Sequence, residues 1–189
     1  AHLTLVHADA VDFLRQEARD WSQWKLVANL PYSVTSALLT SVLQGEHGPG
    51  WMTITVQWEV AQRLMAAAGQ ADYGVLTLLT QLRYVARDRF KIPRTCFFPE
   101  PTVDSAVLTL QRRAEPWLSH PEAGVFERLV RLSFSQRRKM MLKLLKTQWP
   151  VERLAAAFDQ VGLASSIRAE DVTLDQFVQL TRILKTNEE

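Results

Sequence analysis

Apolar residues along this chain recur first as short runs alternating with helix-like stretches, and beyond about residue 113 at helical spacing alone. Residues 3–7, Leu-Thr-Leu-Val-His, read as a strand, and residues 11–24 as a polar, helix-like stretch. Residues 25–28 form a short apolar run that reads as a buried strand. Two strands joined by a dozen or more residues predict a parallel pair. The second run stops at Asn29-Leu30-Pro31-Tyr32. Pro31 has no N–H for a ladder and fixes its own φ, and it biases Leu30 toward an extended conformation. Residues 36–43 fit a crossover helix. Residues 51–56 predict a strand, 57–64 a helix, and 66–74, with Gly69, Asp72 and Gly74, a loop. Residues 76–85 begin as a helix and end as a strand, 87–92 alternate as a strand does, and 103–110 read as another. Val60, Leu64 and residues 76–82 read as core.

The segment 112–121 is polar and contains two prolines, so a domain boundary is placed there: an α/β unit over 1–113 and an all-α unit over 114–189. Helices are predicted over 122–134, 136–146 and 150–161. Pro150 suits a first helical turn and Gly162 a C-terminal cap. Thr173-Leu-Asp-Gln176 has the form of a capping box opening a last helix to about residue 184.

Composition narrows the class. Of 189 residues, 47% are hydrophobic and 22% charged, as in ordinary globular domains. A single Cys precludes an internal disulfide and points to a reducing, cytoplasmic compartment. No apolar run approaches the roughly 18 residues of a membrane span, and the opening residues lack the pattern of a secretory signal. Net charge is only +2, so nucleic-acid affinity has to come from a local patch. The four His are scattered, and no metal-ligand spacing is present.

Three stretches carry candidate chemistry. The Asn29–Tyr32 turn holds an amide, a carbonyl and an aromatic ring at the carboxyl end of a strand, where open α/β sheets keep their ligands. Asp9, after the first apolar run, reads either as a helix N-cap or as a carboxylate able to accept from an adenine amine. Cys96-Phe-Phe-Pro-Glu-Pro-Thr-Val-Asp-Ser-Ala-Val107 contains a stiff Pro-x-Pro loop. Phe97 in it, taken alone, reads as core. Cys96 reads as a small buried filler, with no sequence-near His to make it a nucleophile. Between Arg128 and Lys146 lie seven basic residues and no acid. Arg137, Arg138, Lys139, Lys143 and Lys146 are among them. They read as a solvated helix face or, since like charges at helical spacing repel, as a phosphate-backbone site.

These stretches together resemble the rRNA adenine N6,N6-dimethyltransferases. Asn29-Leu30-Pro31-Tyr32 resembles their Asn-Leu-Pro-Tyr motif. The Phe97 to Val107 segment resembles their Phe-x-Pro-x-Pro-Lys-Val-Asp-Ser-Ala-Val, and Phe134-Ser-Gln-Arg-Arg-Lys139 their Phe-Asn-Gln-Arg-Arg-Lys. The last motif and Arg168-Ala-Glu-Asp171 favour the small-subunit enzymes. The resemblance covers nearly the whole chain. It implies a Rossmann-like class I methyltransferase sheet, here partial, followed by a small helical rRNA-binding domain. It implies S-adenosylmethionine as cofactor, without metal. The substrate it implies is two adjacent adenosines in a hairpin loop near the 3′ end of small-subunit rRNA, on a precursor of the small ribosomal subunit. It assigns Asn29, Leu30, Pro31, Tyr32 and Phe97 to catalysis, Asp9, Ala10 and Asn29 to the cofactor, and the five basic residues from Arg137 to Lys146 to RNA. Methyl transfer to an adenine amine mostly requires positioning. On the role the resemblance implies, the Asn29 side-chain oxygen and the Leu30 carbonyl would accept its hydrogens and favour a pyramidal nitrogen, and Tyr32 and Phe97 would stack on an unstacked base.

The chain departs from the family pattern at the front, where a Gly-rich loop and a following acidic residue are absent. It is therefore expected to be the back part of a longer enzyme, to bind S-adenosylmethionine weakly or not at all alone, and to be inactive alone. Trp58 and Thr102 stand where relatives commonly have Lys. A monomer without membrane contact is expected. The competing functional readings are a non-catalytic RNA-binding or ribosome-assembly factor of the same fold, and a large-subunit rRNA adenine methylase.

Overall fold

The computed structural model describes residues 2–17, 19–45 and 47–185. By contacts the chain divides into two units, Ala1–Ala61 with Val85–Arg112, and Gln62–Tyr84 with Arg113–Glu189. A single cut after residue 113 would leave 62–84 with the sheet; their contacts place them with the helices.

The first unit is an α/β structure of helices α1 (Ala10–Gln16) and α2 (Thr35–Gln44) and strands β1 (Lys25–Asn29), β2 (Trp51–Gln57), β3 (Tyr84–Ile92) and β4 (Ser105–Arg112), with α3 (Trp58–Met65) running across the unit boundary. The sheet order is β1-β2-β4-β3. β1 and β2 are parallel, joined by the crossover α2, and β2 and β4 are antiparallel. Period-two patterning produces the core. Met52, Ile54 and Val56 on β2 pair with Leu110, Leu108 and Ala106 on β4, and each is at most 1% exposed. Alternate residues share one sheet face, so this register places all six on the same side. Leu38, Leu39, Val42 and Leu43 of α2 are buried as well, each worth roughly 1.5–3 kcal/mol. On the opposite face the Thr53 and Thr109 hydroxyls meet at 3.2 Å.

Three expectations fail at the start of this unit. Residues 3–7 form no strand, and Leu3 and Leu5 are 83% and 89% exposed. Strand propensity needs a neighbour to satisfy the backbone, and no ladder reaches them. β1 is not buried: it ends the sheet, alternates in exposure, and leaves Val27 78% exposed. The helix expected over 11–24 stops at Gln16. Phe13 then packs at a tilt on Trp21 and Trp21 edge to face on Trp24, with centroids 6.2 and 5.3 Å apart, so aromatic packing replaces the helix.

The second unit holds α4 (Val75–Arg83), α5 (His120–Ser133), α6 (Met141–Leu145), α7 (Val151–Val161) and α8 (Leu174–Leu184). Its core is aromatic: Phe126, Phe134 and Phe177 adjoin in series at 6.2–6.4 Å, and Tyr73 meets Phe134 at 6.1 Å. The buried Tyr73 hydroxyl donates to the Val172 carbonyl at 2.9 Å, and burial pushes its pKa well above the usual phenol range. Two of the sequence signals for helix ends hold, while Pro150, expected in a first helical turn, stands at the N-cap just ahead of α7. Gly162 adopts φ 71° after α7, a left-handed conformation that favours glycine. Thr173 and Gln176 form a reciprocal capping box. The helix expected over 136–146 is confined to Met141–Leu145. Residues 134–139 turn instead, the Ser135 hydroxyl taking the Leu132 carbonyl at 2.7 Å. The Met141 N–H then bonds the Ile167 carbonyl, so tertiary contact rather than propensity sets the start of α6.

Candidate functional site

In the first unit the Asn29–Tyr32 turn lies at the carboxyl end of β1. The Leu30 N–H extends the ladder by donating to the Thr55 carbonyl at 3.2 Å, and the Leu30 side chain is 5% exposed. That anchors the turn from beneath. The Pro31 carbonyl accepts from the Val34 N–H and from the buried Thr35 hydroxyl, both at 3.1 Å, which folds the chain back into α2. Asn29 is exposed, and its side chain has no hydrogen-bond partner among the described residues. Tyr32 is half-buried, and its hydroxyl lies 2.7 Å from Ser105 Oγ, a side chain with no exposure at the start of β4.

The loop carrying Phe97 is tied to the neighbouring residue. The Asp104 carboxylate accepts from the Arg94 N–H at 2.9 Å and from Lys91 Nζ at 2.7 Å, and these contacts hold its carboxyl below the usual carboxylate range. Asp104 and Ser105 thus fasten the Phe97 loop and Tyr32 to the same strand start. Sequence reasoning assigned neither residue a role, although both stand in the Val-Asp-Ser stretch it quoted. Phe97 itself is half-buried, while Phe98 beside it is fully exposed. Neither Phe97 nor Tyr32 contacts another aromatic ring among the described residues. Cys96 is exposed rather than a buried filler, because the 3₁₀ turn Arg94–Cys96 lies at the surface.

Asp9 caps α1. Its Oδ1 accepts from the Val11 and Asp12 N–H groups at 2.8 and 3.1 Å, and Ala10 is the first helical residue. One carboxylate oxygen is therefore committed to the helix and the other is left over. Among the described residues no group of three or more His, Cys, Asp or Glu side chains is arranged to hold a metal ion, and no helix is long and apolar enough to cross a membrane.

The basic cluster in the second unit divides. Arg138, Lys139 and Lys143 line a cleft of about 510 Å³. Arg137 instead donates to the Ala71 carbonyl at 2.7 Å, bracing the 66–74 loop, whose Gly69 N–H also bonds the Glu170 carbonyl at 2.7 Å. Lys146 is exposed at the C-terminal cap of α6.

With this geometry established, comparison places the chain among known proteins. The Ribosomal RNA adenine dimethylase family matches over residues 1–186. The Ribosomal RNA small subunit methyltransferase A of Latilactobacillus sakei subsp. sakei (strain 23K) is 35% identical over 185 residues, covering 95% of this chain and 62% of the relative. That of Geobacillus thermodenitrificans (strain NG80-2) is 36% identical over 188 residues, covering 97% and 64%. The chain thus spans just under two thirds of the length of these relatives. Among solved structures, the 23S rRNA methyltransferase ErmE matches with TM-score 0.62 and 29% identity, over 85% of this chain and 64% of that one. A dimethyladenosine transferase from Plasmodium falciparum matches with TM-score 0.70 over 82% and 64%; at 20% identity it speaks to the fold alone, a Rossmann-like methyltransferase sheet with a helical part. By motif and by descent, the chain belongs to the ribosomal RNA adenine dimethylase family.

Proposed function

We propose that this chain, within its whole protein, carries out S-adenosylmethionine-dependent dimethylation of the exocyclic amines of two adjacent adenosines. The target is a hairpin loop near the 3′ end of small-subunit rRNA, in a cytoplasmic precursor of the small subunit, and the protein acts as a monomer. The observation that carries the reading is the exposed Asn29 amide, without a partner among the described residues, set at a strand end by a turn in which Leu30, Pro31 and Tyr32 are each held by a hydrogen bond.

The amine nitrogen of adenine is a weak nucleophile because its lone pair is delocalised into the ring. The Asn29 side-chain oxygen and the Leu30 carbonyl accept its hydrogens and favour the pyramidal nitrogen. Tyr32, its hydroxyl held by Ser105, and Phe97, on the Asp104-anchored loop, clamp the base; stacking of this kind contributes about 1–3 kcal/mol per base. S-adenosylmethionine, when bound, supplies the methyl group. The uncommitted oxygen of Asp9 suits the cofactor's adenine amine, since only Oδ1 serves the helix cap. The helical unit holds RNA through Arg138, Lys139 and Lys143, with Arg137 and Lys146 alongside.

The 35–36% identity to small-subunit enzymes over nearly the whole chain favours that target; the likeness to ErmE favours large-subunit rRNA as the second reading. Labelled methyl transfer by the full-length protein to separated undermethylated subunits distinguishes them. Asn29→Ala is expected to abolish transfer to the small subunit while RNA binding survives. Wild-type transfer by that variant would remove Asn29 from the chemistry, and label in the large subunit alone would reassign the substrate.

A further inference from the structure

The cleft in the helical unit has two kinds of wall. Its floor is apolar: Leu144 is 6% exposed, and Leu132 and Met140 are half-buried. Its rim is cationic, formed by Arg138, Lys139 and Lys143. No carboxylate lines it, and none of the three cations has an ion-pair partner among the described residues. Gln136, also on the wall, is exposed and its side-chain amide has no partner among the described residues. The Ser135 and Thr147 hydroxyls donate to the Leu132 and Leu144 carbonyls, so their oxygens remain as acceptors.

A surface that binds only phosphates needs no apolar floor, and an apolar partner helix finds no counter-charge for three cations. A ligand carrying a flat apolar ring with polar edges and a negative charge satisfies both walls. We propose that this cleft takes one unstacked nucleotide of an RNA strand, with its base on Leu132 and Met140, its edge toward Gln136, and its phosphates among Arg138, Lys139 and Lys143. The proposal rests on RNA being the substrate, as argued above. The volume of about 510 Å³ lies within the range of small-ligand sites, and a base locked in a duplex stack cannot enter it. Arg137 donates one N–H to the Ala71 carbonyl and does not line the cleft.

The test is fluorescence anisotropy of the full-length protein with a labelled single-stranded oligoribonucleotide and with the same strand made abasic. Removing the bases is expected to weaken binding at least roughly fivefold, and the share that depends on the cleft is of the order of one lost base contact. Met140→Ser shrinks that penalty and leaves the salt dependence unchanged. Phe97→Ala, in the other unit, removes only the share of the penalty owed to its own stacking and leaves the Met140-dependent share in place. Lys143→Gln lowers the log–log salt slope by about one. Gln136→Ala, at an exposed position, takes the place of Met140→Ser if the latter does not fold. The proposal is overturned if abasic RNA binds equally well, if the penalty disappears with Phe97→Ala rather than with Met140→Ser, or if an acidic peptide occupies the cleft more tightly than RNA. Methyl transfer by the full-length protein, dependent on Asn29, can persist through any of these failures; conversely, the base penalty can stand where no methyl is transferred.

Discussion

The hydrogen bond between Tyr32 and Ser105 can be weighed directly. Its 2.7 Å separation is the usual O–H···O distance, and the Ser105 side chain has no exposure and no other hydrogen-bond partner among the described residues. Tyr32→Phe leaves the Ser105 hydroxyl buried and unpaired, which costs about 1–3 kcal/mol. Ser105→Ala removes the buried hydroxyl and leaves the half-buried tyrosine able to reach water, so its cost is lower, about 0.5–1.5 kcal/mol. With both polar groups gone, the double variant has no orphan. Its destabilisation is expected to fall short of the sum of the singles by on the order of 1 kcal/mol. Urea denaturation followed by circular dichroism measures the cycle. With an m-value of roughly 3 kcal/mol/M, a loss of about 2 kcal/mol lowers the midpoint by about 0.7 M. Additivity of the two single changes within about 0.3 kcal/mol would refute the idea that Ser105 holds the ring.

Other consequences are independent of the turn. The Glu122 carboxyl, bonded first by Lys185 Nζ at 2.7 Å and then by Ser119, is held down at about 2. A depressed carboxylate contributes stability above its unfolded pKa of about 4.3 and loses it as pH falls toward about 2. Acid titration of the unfolding midpoint should therefore show a loss on the order of 1 kcal/mol through this group, allowing for solvent screening, and Lys185→Gln should flatten it. Phe177→Ala removes a fully buried ring between Phe126 and Phe134 and is expected to cost about 3–5 kcal/mol in denaturant unfolding. Gly162→Ala, at φ 71°, should lower stability by on the order of 1 kcal/mol, visible as a drop in thermal midpoint.

Local rules account for much of what was legible in the chain. The capping box at Thr173, the glycine at 162, the alternation of β2 and β4 and the stop at Pro31 depend on neighbours within a few residues, and the folded chain keeps each. The readings that failed depend on distant partners. Residues 3–7 carry strand-like side chains, yet a strand exists only where another supplies its hydrogen bonds. The helix expected from residue 136 gave way to a turn, because the start of α6 is set by Ile167, well along the sequence.

At the candidate site the same division holds. Residue types alone singled out the Asn29–Tyr32 turn, the Phe97 loop and the basic cluster, because amide, aromatic ring and uncompensated charge state their chemistry wherever they lie. Only folding brought Ser105 to the Tyr32 hydroxyl across 73 positions of sequence, and only folding sent Arg137 to a backbone carbonyl while its neighbours line a cleft. Side-chain chemistry is a local property of the chain; which donor meets which acceptor is decided by packing, and packing is set by residues far apart in sequence.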